Sequence, residues 1–367
     1  MKLSVTRDSL HAGLGAVAAT IPTKTTLPVL SNILLEAKEG KLSLSGTDLD
    51  ISVSVAIEAG IEREGSVTVP ARKFAEITRE LPAAPVHVTA AGVEVLIEGG
   101  KSKFKLFGLA PEEFPSFPEV DFTESWTMKA ADLHELIGRT SFAASTEESR
   151  PILNGVLWQL RPGKAAMVAT NGHRLAKMEV ALHGVTAPEA DLIVPPKALQ
   201  QVERLFAKEG EVEVARSKNH LAFRNPERVV YTRLIEGPYP NYQQVIPSDN
   251  DKHVTASRAN LAAAIRRMAV VASDQTHRVR MRFSPGTLSF RVQTPDLGEA
   301  EEEMPVEYEG EELEIGFNAN YLLEVLRFLP DDDVMMRLKA PERAATFAPA
   351  SGKPDYLCLV MPLRLLD

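Results

Sequence analysis

The sequence predicts an α+β protein made of three copies of one unit, each with two helices packed on antiparallel sheets. Three observations predict it. Apolar residues recur at helical spacing in three segments, and a shared marker opens a second helix after each. Strand-like alternation fills the stretches between them. Short markers return with a period of about 125 residues along the 367-residue chain.

Each predicted element has a local reason. Leu10, Leu14 and Val17 mark the first helix by their three- and four-residue spacing. Leu133 and Ile137 mark its second copy, and Leu261, Ile265 and Met268 its third. Strands follow: Leu42 and Leu44, then Ile51, Val53, Val55 and Ile57, alternate with polar or small residues. The second helix of each unit opens at a shared marker, Val69-Pro70-Ala71-Arg72-Lys73-Phe74, Val194-Pro195-Pro196-Lys197-Ala198-Leu199 and Phe317-Asn318-Ala319-Asn320-Tyr321-Leu322. Proline suits a first helical turn because its missing N–H would have no partner there, and Asn318 suits the N-cap. Leu81-Pro82 and Leu329-Pro330 end two of these helices. Val86/Val88, Val93/Val95/Ile97, Val212/Val214, Leu221/Phe223 and Leu288/Phe290/Val292 read as further strands with one buried face. A third marker aligns Thr47, Thr170 and Thr294. Boundaries fall near residues 122 and 248, the second within the polar stretch Pro247–Lys252, giving units 1–122, 123–248 and 249–367.

Composition excludes several classes. Acidic residues outnumber basic ones, 50 to 41, for a net charge of −9, so the chain as a whole is no basic nucleic-acid binder. A hydrophobic fraction of 44% is too rich for disorder. Cys358 is the only cysteine, which excludes an intramolecular disulfide and a cysteine zinc cluster and fits a reducing compartment. The N-terminal Met-Lys-Leu-Ser-Val-Thr-Arg-Asp has no apolar run, and no stretch is long enough to span a bilayer, so a soluble, cytoplasmic protein is expected.

Charge is segregated along the chain. The helix windows 5–20, 71–80, 130–145, 197–208, 257–272 and 318–329 are net basic, and the rest is more acidic than the total. Lysine and arginine are good formers of any solvated helix, yet the same pattern suits six helices sharing a surface that faces a polyanion. Two runs are sharper. Lys101, Lys103 and Lys105 are expected on one strand face, and Glu299, Glu301 and Glu303 on another. They suit edge protection, or head-to-tail pairing between copies that closes into a ring.

Longer motifs carry a family resemblance over the full length: Thr26-Leu27-Pro28-Val29-Leu30-Ser31-Asn32, Thr47-Asp48-Leu49-Asp50, Phe114-Pro115-Ser116-Phe117-Pro118, Leu153-Asn154-Gly155, Ala169-Thr170-Asn171-Gly172-His173-Arg174-Leu175, Gly237-Pro238-Tyr239-Pro240-Asn241-Tyr242 and Val360-Met361-Pro362-Leu363-Arg364-Leu365. Together they resemble the bacterial DNA polymerase sliding clamps, the beta subunits of polymerase III. The resemblance implies a non-catalytic processivity factor without cofactor, a homodimeric ring around double-stranded DNA, and partners that include the replicative polymerase and the clamp loader. It implies a seam formed by Lys73, Lys101, Lys103, Phe104 and Leu106 against Val270, Val271, Glu299, Glu301, Glu302 and Glu303. It implies a groove for short partner peptides lined by Leu153, Thr170, Gly172, His173, Arg174, Leu175, Pro240, Val245, Val360, Met361, Pro362, Leu363 and Arg364. One pocket shared by several partners suits affinities of roughly micromolar order, so that exchange stays fast. Lys24 matches a loop residue that touches DNA in the family, and Arg72, Lys73, Lys197, Arg266 and Arg267 join it as DNA-facing candidates from the helix charge. Two departures stand out: Gln244 replaces a residue often basic in the family, and Leu366 and Asp367 follow the usual end of the tail.

Catalytic motifs do not emerge: there is no phosphate-binding glycine loop, H-E-x-x-H or G-x-S-x-G. The rival to a clamp is a metal-dependent hydrolase or transferase using Asp48, Asp50 and His173. A trimeric clamp of the archaeal and eukaryotic kind is disfavoured by three repeats per chain.

Overall fold

The structure, a computed structural model, describes residues 1–295 and 297–365; the expectations for Leu366 and Asp367 lie outside the described residues. Elements β1 (Lys2–Thr6), α1 (Arg7–Ala18), β2 (Asn32–Lys38), β3 (Lys41–Thr47), β4 (Ile51–Glu58), β5 (Gly60–Arg63), β6 (Gly65–Pro70), α2 (Ala71–Glu80), β7 (Pro85–Ala91), β8 (Glu94–Gly99) and β9 (Ser102–Phe107) come first. The same order, less a counterpart of β5, follows as β10 (Trp126–Lys129), α3 (Ala130–Thr140), β11 (Val156–Arg161), β12 (Lys164–Thr170), β13 (Arg174–Ala181), β14 (Ala190–Val194), α4 (Pro196–Leu205), β15 (Glu211–Arg216), β16 (His220–Arg224) and β17 (Arg228–Arg233). It returns once more as β18 (Lys252–Ser257), α5 (Arg258–Ala269), β19 (Arg278–Ser284), β20 (Thr287–Thr294), β21 (Gly298–Pro305), β22 (Leu313–Asn318), α6 (Ala319–Phe328), β23 (Asp333–Leu338), β24 (Ala345–Pro349) and β25 (Asp355–Val360). Among the described residues, five of the six helices fall within the windows read from the sequence, and α4 starts one residue ahead of its window, at Pro196.

Two compact units divide the chain, residues 1–131 with 197–234 and residues 132–196 with 235–367. The first holds a sheet ordered β5-β1-β7-β8-β9 and an eight-stranded sheet ordered β10-β15-β16-β17-β4-β3-β2-β6. The second holds an eight-stranded sheet ordered β14-β11-β12-β13-β25-β24-β23-β18 and a sheet ordered β21-β20-β19-β22. The ladders are antiparallel, so each eight-stranded sheet is two four-stranded halves from successive repeats joined edge to edge, by β17 on β4 and by β25 on β13.

Cores follow the alternation. Leu42, Leu44, Val53, Val67 and Val69 are buried in the first unit with Leu10, Leu14 and Val17 of α1. In the second, Val279, Met281, Phe283, Phe290, Ile315 and Phe317 are buried with Leu261, Ile265 and Met268 of α5. Helix starts match the sequence rules. Thr6 and Ser257 accept from the backbone N–H groups of Ser9 and Asn260, and Asn318 accepts from Asn320 and Tyr321. Leu81 and Leu329 are extended ahead of the prolines that stop α2 and α6.

Several local expectations are corrected. Val93 lies in the β7–β8 turn and is exposed rather than packed in a strand. Lys101 belongs to the β8–β9 turn, because Gly99 and Ser102 already close the hairpin ladder; only Lys103 and Lys105 lie on the strand. Lys252 begins β18, so the connecting stretch ends at Asp251. Thr294 is one residue out of step: the ladders leading from Val69, Val194 and Phe317 align Thr47 and Thr170 with Gln293.

Candidate functional site

An apolar cluster in the second unit is the first candidate. Leu157, Val168, Leu175, Ile193, Tyr242, Ala344 and Leu359 form it, with Ile152, Ile235, Tyr239 and Ile246 packed on it half-buried. Leu157, Val168, Leu175, Ile193 and Leu359 come from one face of β11, β12, β13, β14 and β25, because alternate strand residues share a face; Ile235, Tyr239, Tyr242 and Ile246 come from the segment after β17, Ile152 from the turn before β11 and Ala344 from the β23–β24 connection. Beside it stand two more exposed apolar residues, Val245 at 53% and Met361 at 38%. Apolar surface open to solvent and rimmed by polar groups is what a peptide with apolar anchors needs.

The rim is tied down by hydrogen bonds. Asn171 accepts from the backbone N–H groups of His173 and Arg174, both at 3.0 Å, and Thr170 Oγ1 donates to the Arg174 carbonyl at 2.7 Å. The Met361 N–H donates to the His173 carbonyl at 2.8 Å, joining loop 170–173 to the tail. The Leu363 N–H donates to the Gly316 carbonyl at 2.7 Å, so the tail runs along the edge of β22. Tyr242 Oη donates to Gln159 Oε1 at 2.7 Å and fixes the aromatic wall. Burial pushes the Tyr239 phenol well above its ordinary range, so it stays neutral.

Of the residues expected in the groove, Thr170, Leu175, Val245 and Met361 gather at the cluster or its rim, and Gly172 and His173 are exposed in the loop beside it. Pro240 is exposed; Pro362, Leu363 and Arg364 continue along the tail. Three expectations change. Ile152, not Leu153, packs on the cluster from the short 3-10 turn Pro151–Asn154. Val360 pairs with Arg174 across β25 and β13, and both lie on the opposite side of the sheet from the paired Leu175 and Leu359. Arg174 is therefore buried, its side chain 10% exposed, on the helix side. Its Nη2 donates to the Phe142 carbonyl at 2.6 Å, it is ion-paired with Glu324, and its guanidinium carbon lies 4.9 Å and 5.6 Å from the ring centroids of Tyr321 and Phe142. Burial lowers the Arg174 pKa from the ordinary arginine value. Sequence reasoning missed Phe142, Tyr321 and Glu324, since their link to Arg174 spans distances along the chain that no local pattern encodes.

Basic side chains expected to face DNA are exposed: Lys24, Arg72, Lys73 and Lys197 in the first unit, Arg266 and Arg267 in the second. Most already have partners. Arg72 and Lys73 both meet Glu76, at 2.9 and 2.8 Å, Lys197 meets Asp48, and Arg267 Nε meets Glu302 at 2.8 Å. Asp48 also accepts from the N–H groups of Asp50 and Ile51, so its carboxylate serves a turn and an ion pair. Among the described residues no group of three or more His, Cys, Asp or Glu side chains could hold a metal ion.

Free sheet edges are the second candidate. β9 ends the sheet of the first unit and β21 that of the second. Both have counterparts inside the chain that are paired. Counted through the ladders from the residue preceding each first helix, Phe104 of β9 corresponds to Val230 of β17 and Cys358 of β25. Counted from the residues preceding each second helix, Ala300 of β21 corresponds to Val53 of β4 and Ala176 of β13. Val230 stands opposite Val53, and Cys358 opposite Ala176. Both internal pairs are fully buried, whereas Phe104 is 38% exposed. The two joints thus give one register for the free edges: Phe104 opposite Ala300, Lys103 opposite Glu301 and Lys105 opposite Glu299. Val270, at 79% exposed, and Val271 lie just past the end of α5.

Three family models match in succession: the N-terminal, central and C-terminal domains of the DNA polymerase III beta subunit, over residues 1–118, 127–241 and 243–364. The chain is 34% identical to the beta sliding clamp of Pseudomonas aeruginosa and 32% identical to that of Synechococcus elongatus, covering 100% of both chains in each case. Among solved structures, a Pseudomonas aeruginosa sliding clamp bound to griselimycin superposes with a TM-score of 0.95 at 33% identity, and the Bacillus subtilis DNA polymerase sliding clamp with 0.94 at 27%, each over 100% of both chains.

Proposed function

Because the chain belongs to the DNA polymerase III beta subunit family, the non-catalytic sliding clamps of the replicative polymerase, we propose that two copies pair head to tail, β9 of each on β21 of the other, and close around duplex DNA. The observation that carries this reading is the repeated joint: a residue equivalent to Phe104 is buried opposite an equivalent of Ala300 twice within one chain. The same register sets Lys103 and Lys105 against Glu301 and Glu299, and brings Lys101 level with Glu303. Opposite charges directly across a ladder are favourable, and the pairing covers two edges that would otherwise template aggregation.

The test is mass and register together. In solution the protein should weigh twice its 40.1 kDa chain mass. Ser102→Cys with Glu302→Cys should form an inter-copy disulfide, since Ser102 and Glu302 fall opposite each other in this register; Ser102→Cys with Ala300→Cys should not. Phe104→Asp should give monomers. A wild-type mass of one chain at micromolar protein would overturn the ring.

The cluster centred on Leu175, Leu359 and Tyr242 is, on this reading, where the polymerase, the clamp loader and other partners dock short peptides with apolar anchors. Val245→Asp places a charge on its exposed wall and should weaken such a peptide at least about tenfold in fluorescence anisotropy, with the fold intact. Unchanged affinity would remove the assignment. Lys24, Arg72, Lys73, Lys197, Arg266 and Arg267 are proposed to face the enclosed duplex.

A further inference from the structure

Arg174 occupies an odd place for a residue of a peptide groove. It opens β13, and its neighbour Leu175 carries the apolar floor, so alternation turns Arg174 to the other side of the sheet. There its guanidinium is wedged between the rings of Phe142 and Tyr321, donates to the Phe142 carbonyl and is ion-paired with Glu324. Phe142 in turn stacks on Phe328 at 4.4 Å, so both ring contacts lead to α6. The loop above is fastened to the same helix. Asn171 Nδ2 reaches Tyr321 Oη at 3.4 Å, and the His173 ring lies parallel to the Tyr321 ring at 6.3 Å. Through the His173 carbonyl this loop holds the Met361 backbone.

We propose that Arg174 is a positioning residue: it touches no bound peptide, and with Tyr321 and Glu324 it clamps loop 170–173 and Met361 into the shape that forms the groove rim. A buried cation fixes geometry because moving it away from its carboxylate and carbonyl strands charge in a poor solvent. Two aromatic faces add cation–π attraction that a flat guanidinium meets better than an ammonium. The shape of the groove rim, and with it affinity, is therefore set partly by α6, a helix outside the apolar cluster. This inference rests on the reading of the cluster as a peptide site.

The experiment uses the full-length protein and two fluorescein-labelled, C-terminally amidated peptides with the same apolar anchors, one with a glutamate side chain and one with glutamine in its place. Arg174→Lys and Glu324→Gln are each expected to weaken both peptides by the same factor, at least about tenfold, and the double variant to lose no more than the larger single loss. Hydrogen exchange of the Met361 amide should quicken in each variant. Loss confined to the glutamate peptide would overturn the proposal, because Arg174 would then be a direct ligand. So would a lowered melting temperature with unchanged affinity of the folded protein, which is what a purely structural role gives. Wild-type protein that binds neither peptide would overturn the groove reading itself, and that outcome is visible before any variant is made.

Discussion

Cys358 shows how burial governs a single side chain. It lies fully buried on β25 with its Sγ 3.0 Å from Tyr356 Oη, and burial pushes its thiol up to about 12. The thiolate is the reactive form, so at pH 8 the native protein should leave a chromogenic disulfide reagent unreacted over hours, and one thiol should react in denaturant. A fast native reaction would mean that β25 opens readily. Gly108 is a second case. A Cβ there would run into the carbonyl oxygen of Thr68, whose N–H is bonded to the Leu109 carbonyl, and backbone cannot yield as a side chain can. Gly108→Ala should therefore cost about 2 kcal/mol or more, read as a shift of the denaturant midpoint. Arg174 is the most instructive residue for the sequence. Its place in the motif Ala169–Leu175 was legible, but its burial against Phe142, Tyr321 and Glu324 was not, because those partners reach it only through tertiary packing.

At the scale of elements, helix charge also serves the fold itself. Part of the basic excess caps neighbouring helices. Arg204 of α4 donates to the Gly15 carbonyl at 2.9 Å and to that of Ala16 near the end of α1. Arg139 of α3 reaches the Phe328 carbonyl at the end of α6. Terminal carbonyls lack intrahelical partners and carry the negative end of the helix dipole, so arginine there is favourable. Arg204→Gln should lower the melting temperature without changing DNA retention; a loss of retention at unchanged stability would give Arg204 a direct role. The segment between Ile246 and β18 is held by Asp249, which bonds Lys339 and, at 2.8 Å, Arg343. These bonds, Lys339 first, hold its carboxyl below the ordinary aspartate range. A depressed folded pKa means that the pair stabilises the protein above that range and is lost as pH falls through the folded value. Acid unfolding of Asp249→Asn should accordingly be less steep than that of the parent in the same window.

For the whole molecule, the proposed enclosure would reconcile a net charge of −9 with a DNA partner. Most of the candidate DNA-facing cations already have an acidic partner, so few are free to release counterions from phosphate. Protein loaded on circular duplex should be retained with only a shallow dependence on salt, and should be lost when the circle is cut. A steep salt slope on intact circles would point to direct phosphate binding instead of topology.

The sequence by itself determined the elements and their recurrence. Six helices, their caps at Asn318 and their stops before Pro82 and Pro330, the alternating strands and the two charged edge runs all follow from spacing and residue chemistry within a few turns of chain. These signals are local, and local backbone preference suffices to read them. Tertiary structure decided what meets what. It joined β17 to β4 and β25 to β13, set Gln293 rather than Thr294 level with Thr170, left Lys101 in a turn, and brought Phe142, Tyr321 and Glu324 to Arg174. The two joints pair strands more than a hundred residues apart in sequence, and even within a hairpin only packing selects among the registers that the same alternation allows.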